Sequence, residues 1–184
     1  MTVAVPTKDQ LLARLRSDDD KFKIFPTPTE DQVGHGTVDL RIGTVFLSAE
    51  RSSLESVKAW EPEEAGRLFR ETQLRPDGSF AMHPHQFVLA STFEYLAMPL
   101  DLSGLIQSRS TFGRMGIIAA TAAFVGPGFK GSPTLELVNL GEVAIILKPY
   151  LAICQIALFT ADEKKVRPSR YQCSTRPKFA KEPT

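Results

Sequence analysis

Between residues 107 and 117 the chain reads Gln107-Ser-Arg-Ser-Thr-Phe-Gly-Arg-Met-Gly-Ile117. Ser110 and Thr111 stand between two arginines, Arg109 and Arg114. Hydroxyl donors beside fixed guanidinium charge suit the oxygens of a phosphate chain. Ser110 is placed to cap a helical turn over residues 111–115, whose first N–H groups would face the same anion. Standing alone, the stretch reads more readily as a solvated turn with two surface arginines. The segment that follows shifts the balance.

Pro127-Gly-Phe-Lys-Gly131 is turn punctuation, and Thr134 to Leu140 reads as a strand. Leu135 and Leu137 share one face; Thr134, Glu136 and Val138 share the other. Glu136 is thus a single carboxylate in mid-strand, where Glu is depleted. Burial among few polar groups would raise its pKa and fit it for proton transfer near neutral pH. An exposed Glu on a wet sheet face is the competing reading, and the strand alone leaves the two even.

The elements that must position these residues are short. Thr7 starts a helix, with Gln10 as its capping-box partner and Leu11, Leu12 and Leu15 on one face; Asp18 to Asp20 end it. Thr37 to Ile42 alternate as a half-buried strand. Residues 48–80 are polar and mixed in charge, an insertion or an excursion at the sheet edge. From Phe87 to Phe159 brief apolar runs are separated by Pro and Gly, the spacing of an all-β sandwich or barrel. Residues 1–160 make one domain. The tail, 161–184, carries Lys164, Lys165, Arg167, Arg170, Arg176, Lys178 and Lys181. It is either a disordered end or a flap that orders over a charged ligand.

With 42% hydrophobic residues in 184, the chain can bury a sizeable core. A net charge of +1 supplies no field for nucleic acid. No apolar run approaches the ~20 residues that span a bilayer. The N-terminus lacks signal-peptide regions, and the two cysteines, Cys154 and Cys173, make no disulfide framework, so a reducing cytoplasm is expected. His83-Pro-His85 has no third ligand at useful spacing, which argues against zinc.

Taken in order, these blocks resemble the dCTP deaminase family, trimeric relatives of dUTPase. Gly36-Thr-Val-Asp-Leu-Arg-Ile-Gly43 resembles the family's S-V-D-L-R-L-G, and Phe87-Val-Leu-Ala-Ser-Thr-Phe-Glu94 its F-V-L-A-x-T-x-E. Ser108 to Gly116 resembles G-R-S-S-x-x-R-x-G. Thr121-Ala122, Pro127-Gly-Phe129, Thr134-Leu-Glu-Leu137, Ile153-Cys-Gln-Ile156 and Arg170-Tyr-Gln172 follow in the family's order. Single blocks are weak; this many in register over more than a hundred residues are specific.

The resemblance implies a mainly β, dUTPase-like distorted barrel of the β-clip type, with an N-terminal helix and short helical turns. It implies hydrolytic deamination of dCTP to dUTP and ammonia, supplying the precursor of dTTP, with dTTP as a feedback inhibitor. Glu136 would take a proton from water and pass it to N3 and then to the leaving ammonia. Ser110 and Arg114 would hold the water and phosphates beside it. Arg109 and Thr111 would complete the phosphate loop, Ala122 would read the base edge and Phe129 would lie near the sugar. Gln155, Arg170, Tyr171 and Lys178 would contact phosphates or close the site. The only metal implied is magnesium carried by the triphosphate. The H-x-E and P-C-x-x-C pattern of zinc deaminases is absent. Sites between subunits imply a homotrimer.

The chain departs from the family pattern at three places. Val125-Gly126 stands where I-D is usual, Ala119-Ala120 where H-V is usual, and the tail lacks a tyrosine and has Ser174 in place of a glutamine. The family aspartate at position 126 binds the sugar 3′-hydroxyl in deaminases, and its dUTPase equivalent activates the hydrolytic water. Glycine does neither, which disfavours dUTP hydrolysis. Two readings of different class remain: a dCTP deaminase, and a non-catalytic nucleotide-binding or regulatory homologue; a dUTPase or a bifunctional, dUMP-forming deaminase is a third, disfavoured alternative.

Overall fold

Strand alternation sets the architecture. In the computed structural model, which describes residues 4–50, 55–58, 60–119, 124–165 and 171–179, thirteen strands, three short α-helices and one 3-10 turn (Glu30–Gln32) follow one another. They are α1 (Lys8–Arg16), β1 (Lys23–Phe25), β2 (Thr37–Ala49), α2 (Pro62–Gly66), β3 (Phe69–Gln73), β4 (Phe80–Met82), β5 (Phe87–Thr92), β6 (Tyr95–Ala97) and β7 (Leu102–Ser108). Then come α3 (Ser110–Arg114), β8 (Ile117–Ala119), β9 (Phe124–Val125), β10 (Lys130–Gly131), β11 (Thr134–Asn139), β12 (Ile145–Leu147) and β13 (Ala152–Thr160).

The expected first helix forms with its expected cap. Thr7 Oγ1 accepts from the Gln10 N–H at 3.3 Å, and Gln10 Oε1 accepts from the Thr7 N–H at 2.8 Å. Leu11, Leu12 and Leu15 are buried. The helix closes at Ser17, whose N–H donates to Ala13 O.

The main sheet runs β8-β11-β5-β2-β13-β7-β9, with β3 on the flank of β2. It curls into a half-barrel whose end strands, β8 and β9, do not meet. The curl comes from β2, thirteen residues long, whose first half pairs with β13 and whose second half pairs with β5 and β3. Burial alternates over 37–42, then Ile42 and Gly43 are both buried where the register with β5 shifts. Such an irregularity bends a strand and lets it serve two sheet directions. The core packs Phe22, Leu40, Ile42, Phe46, Leu96, Leu135, Leu137 and Ile156, all fully buried.

One ion pair sits inside this core. Glu94 is fully buried, and its carboxylate accepts from the Arg41 N–H at 2.7 Å and from Arg41 Nε–H at 2.6 Å. The Arg41 guanidinium also lies over the Phe93 ring, 4.9 Å from its centroid. A buried carboxylate whose cation is removed has no comparable replacement. Arg41→Ala is therefore expected to cost about 3–5 kcal/mol, read as a large fall in the thermal midpoint. A midpoint within a degree or two of wild type would show that Glu94 does not depend on Arg41.

Candidate active site

Glu136 lies at a cavity of about 460 Å³. β11 puts it there: Leu135, Leu137 and Asn139 are buried, and Thr134, Glu136 and Val138 take the opposite, half-buried face. Register sets Glu136 opposite Leu89 and Val138 opposite Phe87 on β5. Directly opposed residues share a sheet face, so Phe87 and Leu89 become walls of the same cavity. Phe124, Phe129, Ile106 and Phe179 add further apolar walls. Among the described residues lining it, Glu136 is the only carboxylate and Lys178 the only cation.

The apolar walls shape the chemistry of Glu136. Desolvation raises its pKa above the usual carboxylate value. This answers the question the strand alone left even: the side chain is half-buried in a largely apolar cavity. A carboxyl whose charged form is disfavoured is a better proton acceptor near neutral pH.

The described part of the tail, residues 171–179, runs along the cavity as a strap, with Tyr171, Ser174, Lys178 and Phe179 lining it. Gln172 Nε2 donates to Gly128 O at 3.0 Å, and its Oε1 accepts from the Lys130 N–H at 3.3 Å. The Cys173 N–H donates to Lys130 O, and Ser174 O accepts from the Ser132 N–H, both at 2.7 Å. Gly131, at φ +149°, makes room for this crossing. A Cβ there would lie 3.2 Å from Ser174 O.

The predicted residues fall into two groups. Glu136, Phe129, Tyr171 and Lys178 meet at the cavity. Arg109, Ser110, Thr111, Arg114 and Gln155 do not line it. They lie on β13 and in the turn and helix that follow β7, where register aligns Gln107, Gln155 and Asp39 across three strands. Arg109 Nη1 is 3.3 Å from Asp39 Oδ2 and donates to Ala152 O at 3.2 Å. Burial raises the Asp39 pKa, and the Arg109 charge opposes that rise. Ser110, Thr111 and Arg114 are exposed. Ala122 and Arg170 lie outside the described residues.

One expectation needs correction. Ser110 does not cap the helical turn; it is the first residue of α3, and Arg109 is the N-cap, with no side-chain cap bond. The reason is long-range. The Arg109 N–H donates to Ile153 O, so the sheet holds Arg109 extended and the turn starts one residue earlier than local signals suggest.

Gly126 lines the cavity and has room for a side chain. A Cβ there would meet only Phe124 Cε1, at an ordinary 3.5 Å, and its φ is not in the left-handed region. Among the described residues, no three His, Cys, Asp or Glu side chains converge as a metal site.

The dCTP deaminase-like family model matches residues 7–161. The chain belongs to that family. A dCTP deaminase of Halorubrum lacusprofundi is 37% identical over 150 residues, covering 78% of this chain and 74% of its own. A dUMP-forming dCTP deaminase of Methanothermobacter thermautotrophicus is 36% identical over 160 residues, covering 83% and 81%. A solved 2′-deoxycytidine 5′-triphosphate deaminase from Agrobacterium tumefaciens superposes with a TM-score of 0.67 at 20% identity. That match covers 88% of this chain and 49% of the other, so this chain spans about half the solved one; the likeness is one of fold.

Some residues of this cavity were not anticipated from sequence. Phe87, Leu89 and Phe179 look like ordinary core or tail residues, and only the register of β5 and β11 and the path of the strap bring them to the cavity. Residues 87–92 carry no hydrophobic alternation that would have marked the first two.

The raised pKa of Glu136 has a stability consequence with a definite sign. The folded chain holds this proton more tightly than the unfolded chain does. The stability it adds is fully present below the unfolded value, near 4.5, and is lost as pH rises through the higher folded value. Glu136→Gln is therefore expected to leave the thermal midpoint unchanged or higher at pH 7, with any gain vanishing below pH ~4. A clear fall at pH 7 would mean that the carboxylate has a stabilising partner.

Proposed function

We propose that this protein deaminates dCTP to dUTP and ammonia. The observation that carries the proposal is Glu136, a half-buried carboxylate with a raised pKa in a cavity of aromatic and aliphatic walls. The relatives named dCTP deaminase support it. Glu136 takes a proton from water as the oxygen attacks C4 of cytosine. Glu136 delivers that proton to N3, where it stays, and then carries the remaining proton of the C4 hydroxyl to the amino group, which leaves as ammonia as the C4 carbonyl forms. The apolar walls keep the reacting carboxylate poorly solvated.

On this reading Arg109, Ser110, Thr111, Arg114 and Gln155 bind the triphosphate. They lie off the cavity of their own chain, so a second copy delivers them, and the assembly is a homotrimer with sites between subunits. Phe124 agrees with such closure: it lines the cavity and leaves 64% of its surface exposed. Magnesium enters as part of the substrate, chelated by triphosphate oxygens, as this cation prefers. dTTP, which shares the triphosphate, acts as the feedback inhibitor. A reducing cytoplasm suits the two free cysteines.

A second reading has one specific support: relatives 36% identical are named dUMP-forming. On that reading the same site also splits the triphosphate. Gly126 weighs against it, because no carboxylate stands there to activate the second water.

Incubation with dCTP and magnesium, with products resolved chromatographically, is expected to give dUTP; dUMP with diphosphate would establish the second reading. Turnover is expected to survive zinc chelation while magnesium is in excess. Glu136→Gln should cost ~10²–10⁴-fold in kcat with nucleotide binding retained, and unchanged turnover would overturn the proposal. At position 126, Gly126→Asp should fold normally and tighten dCTP binding by a charge-assisted hydrogen bond worth roughly 1.5–3 kcal/mol. Wild type should bind 3′-deoxy analogues almost as well as dCTP. Strong discrimination by wild type would show that another group already reads the 3′-hydroxyl.

A further inference from the structure

β3 is an edge strand, and one whole face of it meets the C-terminal strap. Phe69, Glu71 and Gln73 alternate along it, so they project from the same side. All three touch the strap. Phe179 lies on Phe69 with ring centroids 4.9 Å apart. Arg176 reaches Glu71 Oε1 at 3.1 Å and Gln73 Oε1 at 2.9 Å. Gly66, at the end of α2, lies under the same ring; a Cβ there would come within 3.3 Å of Phe179 Cδ1.

This face continues into the cavity. Register sets Glu71 opposite Leu47, Leu47 opposite Leu89 and Leu89 opposite Glu136. A single cross-strand row therefore joins the strap's contact face to the carboxylate of the site. Phe87 links them too, edge-on to Phe69 at 6.1 Å and part of the cavity wall. The strap is tied at both ends. Gln172, Cys173 and Ser174 bond the backbone between Gly128 and Ser132, and Arg176 and Phe179 hold β3. Between the latter two, the Lys178 N–H donates to Thr134 Oγ1 at 3.1 Å.

We propose that β3, with the turn of α2 before it, is the docking seat of the C-terminal strap, and that Phe69 and Glu71 are positioning residues that hold Ser174 and Lys178 at the cavity. The proposal rests on reading that cavity as the nucleotide site. It gives a role to the polar excursion of residues 48–80, to which the sequence assigns no chemistry. Phe69 and Glu71 act through the strap and touch no substrate.

The test combines hydrogen exchange with dCTP kinetics on full-length variants. Glu71→Arg reverses the charge facing Arg176 at an exposed position, and Phe69→Ala removes the ring under Phe179. The amides of Cys173 and Lys178 should exchange about threefold faster or more in Glu71→Arg and about tenfold faster in Phe69→Ala. The double variant Glu71→Arg/Arg176→Glu, which restores opposite charges, should return exchange to within about twofold of wild type. The KM for dCTP should rise and recover in step with exchange, by a larger factor than kcat changes. Wild-type exchange in both single variants overturns the seat. Faster exchange with an unchanged KM overturns the positioning role. If wild type turns over no cytosine nucleotide, it is the assignment of the reaction that fails, and exchange alone then decides the seat.

Discussion

The phase of β11 is the constraint on which the site depends. Its alternation sends Leu135 and Leu137 into the core and leaves Glu136 facing the cavity. A slip of one residue would exchange the two faces, burying a carboxylate in the core and presenting leucines to the cavity. The last residue of the strand guards against that slip. Asn139 is fully buried, its Nδ2 donates to Met82 O and Val143 O at 2.9 Å each, and its Oδ1 accepts from the Gly141 N–H at 2.9 Å. Such a set of bonds can be satisfied in only one register, and breaking it would leave buried polar groups without partners.

Two glutamates show how the fold sorts carboxylates. Glu94 is wholly buried and is held by the Arg41 side chain and backbone, a structural anchor with its charge matched. Glu136 has apolar neighbours and burial that raises its pKa. Lys178 lines the same cavity but has an exposed side chain at its rim. A poorly solvated carboxylate with no cation paired to it in the core is poised to change state. The difference arises from which strand faces which, since both residues lie in apolar stretches of sequence.

Local patterns were legible in the sequence, and long-range ones were not. The Thr7 capping box and the alternation of residues 37–42 and 134–139 depend on neighbours within a few positions, and they appear as expected. The second half of β2 was not foreseen, because the irregularity after Ile42 breaks the period on which the reading relied. Ser110 was expected to cap α3 and does not, because β13, some forty residues on, keeps Arg109 in the sheet. The excursion around β3 looked inert for the same reason: its partners, Arg176 and Phe179, lie about a hundred residues downstream. The motif residues were all visible in one dimension, but their division into a group at the cavity and a group off it needed the fold.

That division makes the central claim testable by mixing two defective proteins. Glu136→Gln lacks the base but keeps the arginine loop; Arg114→Ala keeps the base but lacks part of the loop. If sites form between copies, dissociating and reassembling the two together should yield about a quarter of sites with both parts intact, by random assortment around a closed ring. The measurement is dCTP turnover of the reassembled mixture against each variant alone. The account predicts recovery toward that fraction of wild-type activity. A mixture no more active than the sum of its parts would contradict it, and would mean that Glu136 and the arginine loop do not meet across copies.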